Sequence, residues 1–244
     1  MDNTLPSLIK AQELDKRIVV LQRRLKSLPI EVGERESALL TMQAELDDAK
    51  AERKGCLAKA DSIEVEVSAR EERIDKLDRT ATESSDASIC KVAQHEATGW
   101  RETNSADQEI ALNLLDRADE FTAKIEKLSP EVEQSVADLA SFRKTVKTDA
   151  ADFQKDLDTF LLQRAAYLQG ANSAVVKAFE ALSERNPGVA VSPLRTDSCG
   201  GCGTRLVAND CMRVRAMKSP VRCPSCTRFL VSQEFLASTI TNIC

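Results

Sequence analysis

Hydrophobic positions recur along the first third of the chain in steps that alternate between three and four residues. The series keeps one register for ten heptads, and only three arginines among its 21 members are polar. This pattern predicts a left-handed coiled coil, because one amphipathic helix on a globular core needs a wider stripe and rarely exceeds about 25 residues. The members are Ala11, Leu14, Ile18, Leu21, Leu25, Leu28, Val32, Arg35, Leu39, Met42, Leu46, Ala49, Arg53, Cys56, Ala60, Ile63, Val67, Arg70, Ile74, Leu77 and Ala81.

A second seam of the same period follows, with a one-residue slip near its end. Residues 80–109, between the seams, are rich in Ser and Thr and include Gly99. Ser105 and Gln108 match a capping box, so the second helix is predicted to begin there and the chain to turn within residues 82–104. The second seam comprises Leu114, Ala118, Phe121, Ile125, Leu128, Val132, Ser135, Leu139, Phe142, Val146, Asp149, Phe153, Leu157 and Phe160.

Two long helices joined by one turn predict an antiparallel hairpin, in which the two helices of one chain form a coiled coil with each other. A parallel dimer is the alternative, but its seam arginines would face their own copies, so we expect a monomer and leave a dimer open. Kinks or short breaks are expected at Pro29–Gly33 and at Pro130. A turn centred near residue 93 would place Arg70 opposite Asp116, Arg53 opposite Glu133, and Arg35 between Asp149 and Asp152.

The helical pattern continues through "ANSAVVKAFEALSER" and stops at Asn186-Pro187-Gly188. "VAVSPL" then alternates as a short strand, and "MRVRAM" and "RFLV" are predicted as further strands of hairpins. The fold class is therefore mostly α: a long kinked antiparallel coiled-coil hairpin, residues 1–186, followed by a small β zinc ribbon, residues 187–244.

The end of the chain contains two C-x2-C pairs separated by twenty residues. Zn²⁺ takes four tetrahedral thiolates, and a two-residue spacer lets one tight turn offer two of them. We therefore predict one structural Zn²⁺ held by Cys199, Cys202, Cys223 and Cys226. The first pair is rich in glycine, whereas Thr227 follows the second pair where glycine would be easier, which predicts strain there.

The other cysteines are not needed for a four-thiolate site. Cys211 is predicted to be a small, partly buried residue at a strand start, with an alternative ligand or redox sensor as the minority interpretation. Cys56 lies on the seam and should be core, while Cys90 and Cys244 should be free thiols in mobile regions. His95 is the one histidine, and no nucleophile–base pair or phosphate loop is present, so we expect no enzyme.

Charge is unevenly distributed along the chain. Residues 191–244 hold seven Lys/Arg against three Asp/Glu, and the remainder holds 27 against 36. Arg213 and Arg215 would share one strand face, which Arg205, Arg222 and Arg228 would extend. Such a basic ribbon either binds nucleic acid or is a solubilising surface, and the scarcity of aromatic residues leaves the two interpretations balanced.

Composition limits the remaining classes. The chain is 30% charged and only 4% aromatic, which is typical of long helices rather than of a compact enzyme. No apolar run reaches the ~18–20 residues that a membrane span needs, and the N-terminus has no secretory pattern. We expect a cytoplasmic protein, whose paired cysteines stay reduced and bind metal.

The order of these features resembles the bacterial coiled-coil plus C4-type zinc-ribbon family. The helix end Phe179-Glu180, then Arg185, Gly188 and the "CGGC" knuckle fit its pattern, whereas "CTR" at residues 226–228 departs from the usual Cys-Gly-Arg. The resemblance implies a non-enzymatic adaptor or chaperone that binds the sigma-54 factor and components of a flagellar or type III secretion apparatus. Some members also bind messenger RNA, so an RNA- or DNA-binding regulator is the alternative.

Overall fold

The computed structural model describes residues 4–241, and it confirms a mostly helical chain with a small strand-containing C-terminal region. Two long helices are followed by a short helix, four short strands and two further short helices. The elements are α1 (Thr4–Glu83), α2 (Ala87–Gln169), α3 (Ser173–Arg185), β1 (Val191–Arg195), β2 (Ser198–Cys199), α4 (Ala208–Ala216), β3 (Val221–Arg222), β4 (Phe229–Ser232) and α5 (Gln233–Thr241).

The chain divides into two compact units. One unit is Gly33–Phe142 and holds the end of α1, the turn and the beginning of α2. The other combines the residues up to Val32 with the chain from Arg143 onward, so it includes the start of α1, the end of α2 and all the shorter elements. No helix among residues 4–241 is long and apolar enough to cross a membrane.

The predicted seams pack against each other within Gly33–Phe142. Buried seam residues include Leu46, Cys56, Val67, Val132 and Leu139. The burial of Cys56 is as predicted from its heptad position. Two of the three seam arginines have partners across the hairpin: Arg70 pairs with Asp107, and Arg35 lies over the Phe142 ring.

The register of the hairpin differs from the prediction. Arg70 pairs with Asp107 at 2.5 Å, and Met42 accepts from Ser135 at 3.7 Å, so facing residue numbers sum to 177 rather than 186. The predicted partners are therefore wrong: Arg70 does not face Asp116, and Arg35 lies 3.8 Å from the centre of the Phe142 ring instead of between Asp149 and Asp152. The same register puts Lys124 rather than Glu133 opposite Arg53.

The shift arises because the turn comes earlier than expected. α1 ends at Glu83 and α2 begins at Ala87, where the Asp86 carboxylate accepts from the Ser88 amide at 2.8 Å. The predicted capping box of Ser105 and Gln108 is wrong, since both residues lie inside α2.

The observed turn lies within the predicted range of residues 82–104, but the rest of that range, from Ala87 onward, is a helix whose seam consists of small and polar residues. Ala93, Ala97, Asn104 and Ala111 are buried at heptad spacing. Threonines of this stretch donate to carbonyl groups one turn back, as Thr98 does to Gln94 at 2.8 Å, so they do not end the helix.

Both long helices pass through their prolines. α1 is helical across Pro29 and Gly33, and α2 is helical across Pro130, so the short break that was one expectation for the first site is absent. Each proline removes one backbone donor from its helix, and the surrounding turns keep the conformation.

The second unit is built on a core shared by helices and strands. Its most deeply buried members are Leu8, Ile9, Phe179, Phe229 and Val231, from α1, α3 and β4. α3 ends at Arg185 as predicted, but it is a helix separate from α2, because Gly170–Asn172 are not helical. The Asn172 side chain caps α3 by accepting from the Ala174 amide at 3.0 Å. The predicted continuous helix is wrong at this point.

The four strands form one sheet in the order β2-β1-β4-β3. β1 is parallel to β4, and the two outer pairs are antiparallel. The strands predicted from "VAVSPL" and "RFLV" are confirmed as β1 and β4. "MRVRAM" belongs instead to α4, because Cys211 and Val214, three residues apart, bury the same helix face against the sheet.

Candidate metal centre

Four cysteine side chains meet where β2 and β3 lead into two tight turns. The Sγ atoms of Cys199, Cys202, Cys223 and Cys226 all lie within 4.8 Å of one another. Cys199 is 3.7 Å from Cys226, and Cys202 is 3.7 Å from Cys223. A tetrahedron with metal–sulfur bonds of about 2.3 Å has edges of about 3.8 Å, so these separations suit one tetrahedrally bound ion and are too long for disulfides.

The two turns have the same backbone design. In the first, the Gly203 amide donates to the Cys199 carbonyl at 2.8 Å, and in the second the Thr227 amide donates to the Cys223 carbonyl at 3.0 Å. Both donors have positive φ, 75° at Gly203 and 61° at Thr227. Because a side chain at such a φ costs roughly 1–2 kcal/mol, the strain predicted at Thr227 is present in the second turn.

The first turn also packs tightly on β1. A Cβ atom at Gly200 would lie 2.6 Å from the Pro193 carbonyl oxygen, to which the Gly200 amide donates at 2.8 Å. At Gly201, a Cβ atom would meet Ser192 and Arg228 at 2.7–2.8 Å. Gly200 is therefore needed for close approach of the turn to the sheet because its obstacle is backbone, whereas the side chains that face Gly201 can move.

The thiols differ in burial and in proton affinity. Cys199 and Cys223 are buried, and burial raises the pKa of Cys199 to about 12 and also raises the pKa of Cys223. Cys202 is exposed, and hydrogen bonding with Thr204 lowers its pKa to about 6. A metal ion binds thiolates, so binding must release protons from the two buried thiols.

Cys211 is not one of the four clustered cysteines, although it shares a small core with Cys199 and Cys223. It is 5% exposed and belongs to a second small core with Leu194, Leu206, Val214 and Leu230. Its burial agrees with the sequence-based interpretation, although it lies in α4 and not at the start of a strand. Among residues 4–241 there is no second group of three or more candidate metal ligands, and Cys244 lies outside this range.

The two remaining residues singled out from the sequence lie near the start of α2. Cys90 is a half-buried thiol in the first turns of that helix, with its Sγ 3.4 Å from the Ser84 carbonyl oxygen. The expected mobile loop at this position is therefore replaced by helix. His95 is exposed on α2 and is not part of the four-cysteine cluster.

The four arginines predicted to bind nucleic acid are all exposed, but each has a partner within the chain. Arg213 and Arg215 do not share a strand face, because both lie in the helix α4. Residues two positions apart in a helix point about 200° apart around its axis. The contacts are Arg205 with Asp197 at 2.9 Å, Arg213 with Asp210 at 3.5 Å, Arg215 with the Thr196 carbonyl at 2.8 Å and Arg222 with the Thr227 carbonyl at 2.9 Å.

Sequence reasoning missed a residue of α1 that holds the strand leading to the metal centre. Gln12 is 3% exposed, and its side-chain amide bonds to both backbone groups of Val191: Nε2 donates to the carbonyl at 3.0 Å and Oε1 accepts from the amide at 2.5 Å. Between Ile9 and Leu14, Gln12 is the one polar residue that is buried in this core. Its position among apolar residues is the feature of the sequence that could have indicated this role.

Comparisons with known proteins give the fold and no more. No family model matches the sequence, and no curated protein matches it. Among solved structures, CT398 from Chlamydia trachomatis superposes with a TM-score of 0.78 at 17% identity, over 93% of this chain and 96% of that one. HP0958 from Helicobacter pylori gives 0.59 at 15% identity, with 94% and 97% covered, and a protein from Mycobacterium smegmatis gives 0.57 at 18% identity, with 95% and 100% covered.

Proposed function

We propose that the four cysteines hold one structural Zn²⁺ and that the chain is a non-enzymatic adaptor or chaperone for protein partners. The carrying observation is the closed thiolate cluster. Four sulfur ligands fill a tetrahedral ion, whereas catalytic zinc keeps one position open for water or substrate. A site of this kind stabilises a fold, so the function belongs to surfaces that the fold presents.

The finer proposal is that the partners are the sigma-54 factor and components of a flagellar or type III secretion apparatus in the cytoplasm. It is supported by the residues that resemble the coiled-coil plus zinc-ribbon family, from Phe179-Glu180 to the "CGGC" knuckle. It is also supported by the long outer faces of α1 and α2, which are rich in exposed charged residues.

The metal part is tested by elemental analysis of the purified full chain and by substitution with Co²⁺. One zinc per chain and a thiolate-to-cobalt charge-transfer band are expected. Replacing Cys211 by serine is the matched control and should leave both unchanged, whereas Cys223→Ser should weaken metal binding strongly. A metal content near zero in protein purified without chelators would refute this part.

The partner part is tested by binding of purified sigma-54 to the immobilised full-length protein. We expect saturable binding that survives Cys211→Ser. Absence of binding to sigma-54, with zinc bound and the helices intact by circular dichroism, would refute this identification while leaving the metal proposal standing. Affinity capture from the native cell with mass spectrometry would then identify other partners.

Nucleic-acid binding through the ribbon is the competing proposal, and the exposed arginines of that region favour it. Their pairing with carboxylates and carbonyls within the chain reduces the charge that they offer. If they contact phosphates, affinity for RNA or DNA should fall with salt and should fall again in Arg213→Ala and Arg215→Ala. Arg117→Ala, an exposed arginine of α2, is the control. Equal binding by all variants would refute the proposal.

A further inference from the structure

The four thiol groups of the metal centre are not equally open to reagents in solution. Cys202 is exposed and Cys226 is half-buried, whereas Cys199 and Cys223 are only 1% and 2% exposed. Oxidation of a cysteine depends on access of the oxidant to its sulfur as well as on its thiolate character. An oxidant in solution therefore reaches Cys202 more readily than it reaches the other three residues.

The turn that carries Cys202 also leaves room for movement. Gly203 follows Cys202 directly, and a Cβ atom at this glycine would have nothing within 4 Å. Cys199 and Cys223, by contrast, are packed in a small apolar core of the ribbon. Cys202 is thus the residue of the cluster that can change position with the least disturbance of its surroundings.

A partner for an oxidised Cys202 lies on the opposite turn. The Sγ atoms of Cys202 and Cys223 are 3.7 Å apart, and those of Cys199 and Cys226 are also 3.7 Å apart. Both contacts cross from one C-x2-C turn to the other. Because a disulfide bond is about 2.05 Å long, an approach of about 1.7 Å would join either pair. Cys211 is not among the sulfur atoms that lie within 4.8 Å of one another.

We propose that the four-cysteine cluster is a redox switch, in which hydrogen peroxide oxidises Cys202 and Cys223 to a disulfide that joins the two turns, with release of the metal ion. This inference rests on the proposed Zn²⁺ site and does not depend on the adaptor role. In compartments that keep thiols reduced, transient disulfides commonly serve catalysis or redox sensing.

The reaction takes two steps. The Cys202 thiolate attacks one oxygen of hydrogen peroxide, the O–O bond breaks, hydroxide leaves, and Cys202 becomes a sulfenic acid. The Cys223 thiolate then attacks the Cys202 sulfur, so that the S–S bond forms, the S–O bond breaks and a second hydroxide leaves. The two thiolates lose two electrons, which the peroxide gains. Only Cys199 and Cys226 then remain as thiolates, and two ligands do not hold a closed tetrahedral site.

The experiment measures zinc and disulfides together in the full-length protein. Zinc-loaded protein is treated with hydrogen peroxide, released zinc is measured with a chromogenic chelator, and disulfides are mapped by mass spectrometry of non-reduced peptides. We expect zinc release in proportion to the Cys202–Cys223 disulfide, and recovery of zinc binding after dithiothreitol and Zn²⁺ are added. Dimedone, which traps sulfenic acids, should label Cys202.

The matched control is a full-length variant that lacks three thiols outside the cluster. C90S/C211S/C244S keeps all four cluster cysteines and should release zinc at the same rate as the unaltered protein. A lower rate in this variant would assign the reaction to one of the three replaced thiols and would overturn the inference.

The order of reaction is tested separately with limiting N-ethylmaleimide on the zinc-loaded protein. Cys202 should be labelled at least about tenfold faster than Cys223, because it is the exposed ligand. First labelling at another cluster cysteine, a disulfide within either C-x2-C pair, or zinc that stays bound after peroxide has oxidised the protein would overturn the inference and leave the metal proposal standing. Protein that holds no zinc before oxidation would overturn both.

Discussion

Replacement of Gln12 by alanine is the sharpest perturbation that the structure offers. The Gln12 amide satisfies both the N–H and the C=O of Val191, the first residue of β1, across 179 residues of sequence. The contact joins α1 to the strand that leads, through its pairing with β2, to Cys199. No hydrophobic replacement can provide the same two bonds.

The expected cost follows from burial. Val191 is 4% exposed, so removing the amide leaves a backbone donor and a backbone acceptor without a partner in the core. Each unsatisfied buried group costs about 1–3 kcal/mol. Allowing for some entry of water into the space that the side chain leaves, we expect Gln12→Ala to lower the free energy of unfolding by about 2–5 kcal/mol.

The assay combines urea unfolding of the metal-loaded protein with amide hydrogen exchange of β1. Unfolding should shift to lower urea, and the Val191 amide should lose protection first, because its acceptor is gone. Gln94→Ala, at an exposed position of α2, is the control. A Gln12→Ala protein that unfolds within about 0.5 kcal/mol of the Gln94→Ala protein, with Val191 still protected, would refute the reasoning.

Three further outcomes are expected. Because metal binding displaces protons from Cys199 and Cys223, whose pKa values are raised, apparent metal affinity should fall by at least about a hundredfold per unit decrease in pH near neutrality, as measured by chelator competition. Gly200→Ala, which brings a Cβ atom to 2.6 Å from a backbone oxygen, should speed metal release, and an unchanged rate would contradict the packing argument. Arg70→Ala should cost about 1–3 kcal/mol of unfolding free energy by leaving Asp107 unpaired, whereas replacing both by leucine should be nearly neutral.

The heptad seams and the cysteine cluster could be predicted because each depends on local spacing. Steps of three and four place residues on one helix face whatever else the chain does, and a two-residue spacer brings two thiolates together in any tight turn. Burial of Cys56 and Leu139 follows from the first rule, and the nearness of Cys199 to Cys202 and of Cys223 to Cys226 follows from the second.

The position of the turn could not be predicted as well. Ser and Thr near residues 80–109 indicated a loop, yet their hydroxyl groups bond within the helix and Ala93 and Ala97 carry the seam. An antiparallel pair has no fixed register in the sequence of either helix, so the misplaced turn shifted every predicted partner by nine residues. Arg70 consequently pairs with Asp107, and the sequence around Arg70 alone does not indicate this partner.

The ribbon shows the same division between local and long-range information. Alternation in "MRVRAM" indicated a strand, but a helix buries Cys211 and Val214 together in a core completed by Leu194 and Leu230. Short segments have similar preferences for strand and helix, so packing against the sheet decides between them.

The sequence by itself determined that long helices would pair along a seam and that each C-x2-C pair would offer two thiolates together, since both outcomes depend on distances of a few residues. Only the tertiary structure decided which residues face each other across the hairpin, that Gln12 holds β1, and that Arg164 pairs with Asp15. The last two contacts join residues about 150–180 positions apart, and their free energies depend on desolvation, which exists only once the chain has closed around them.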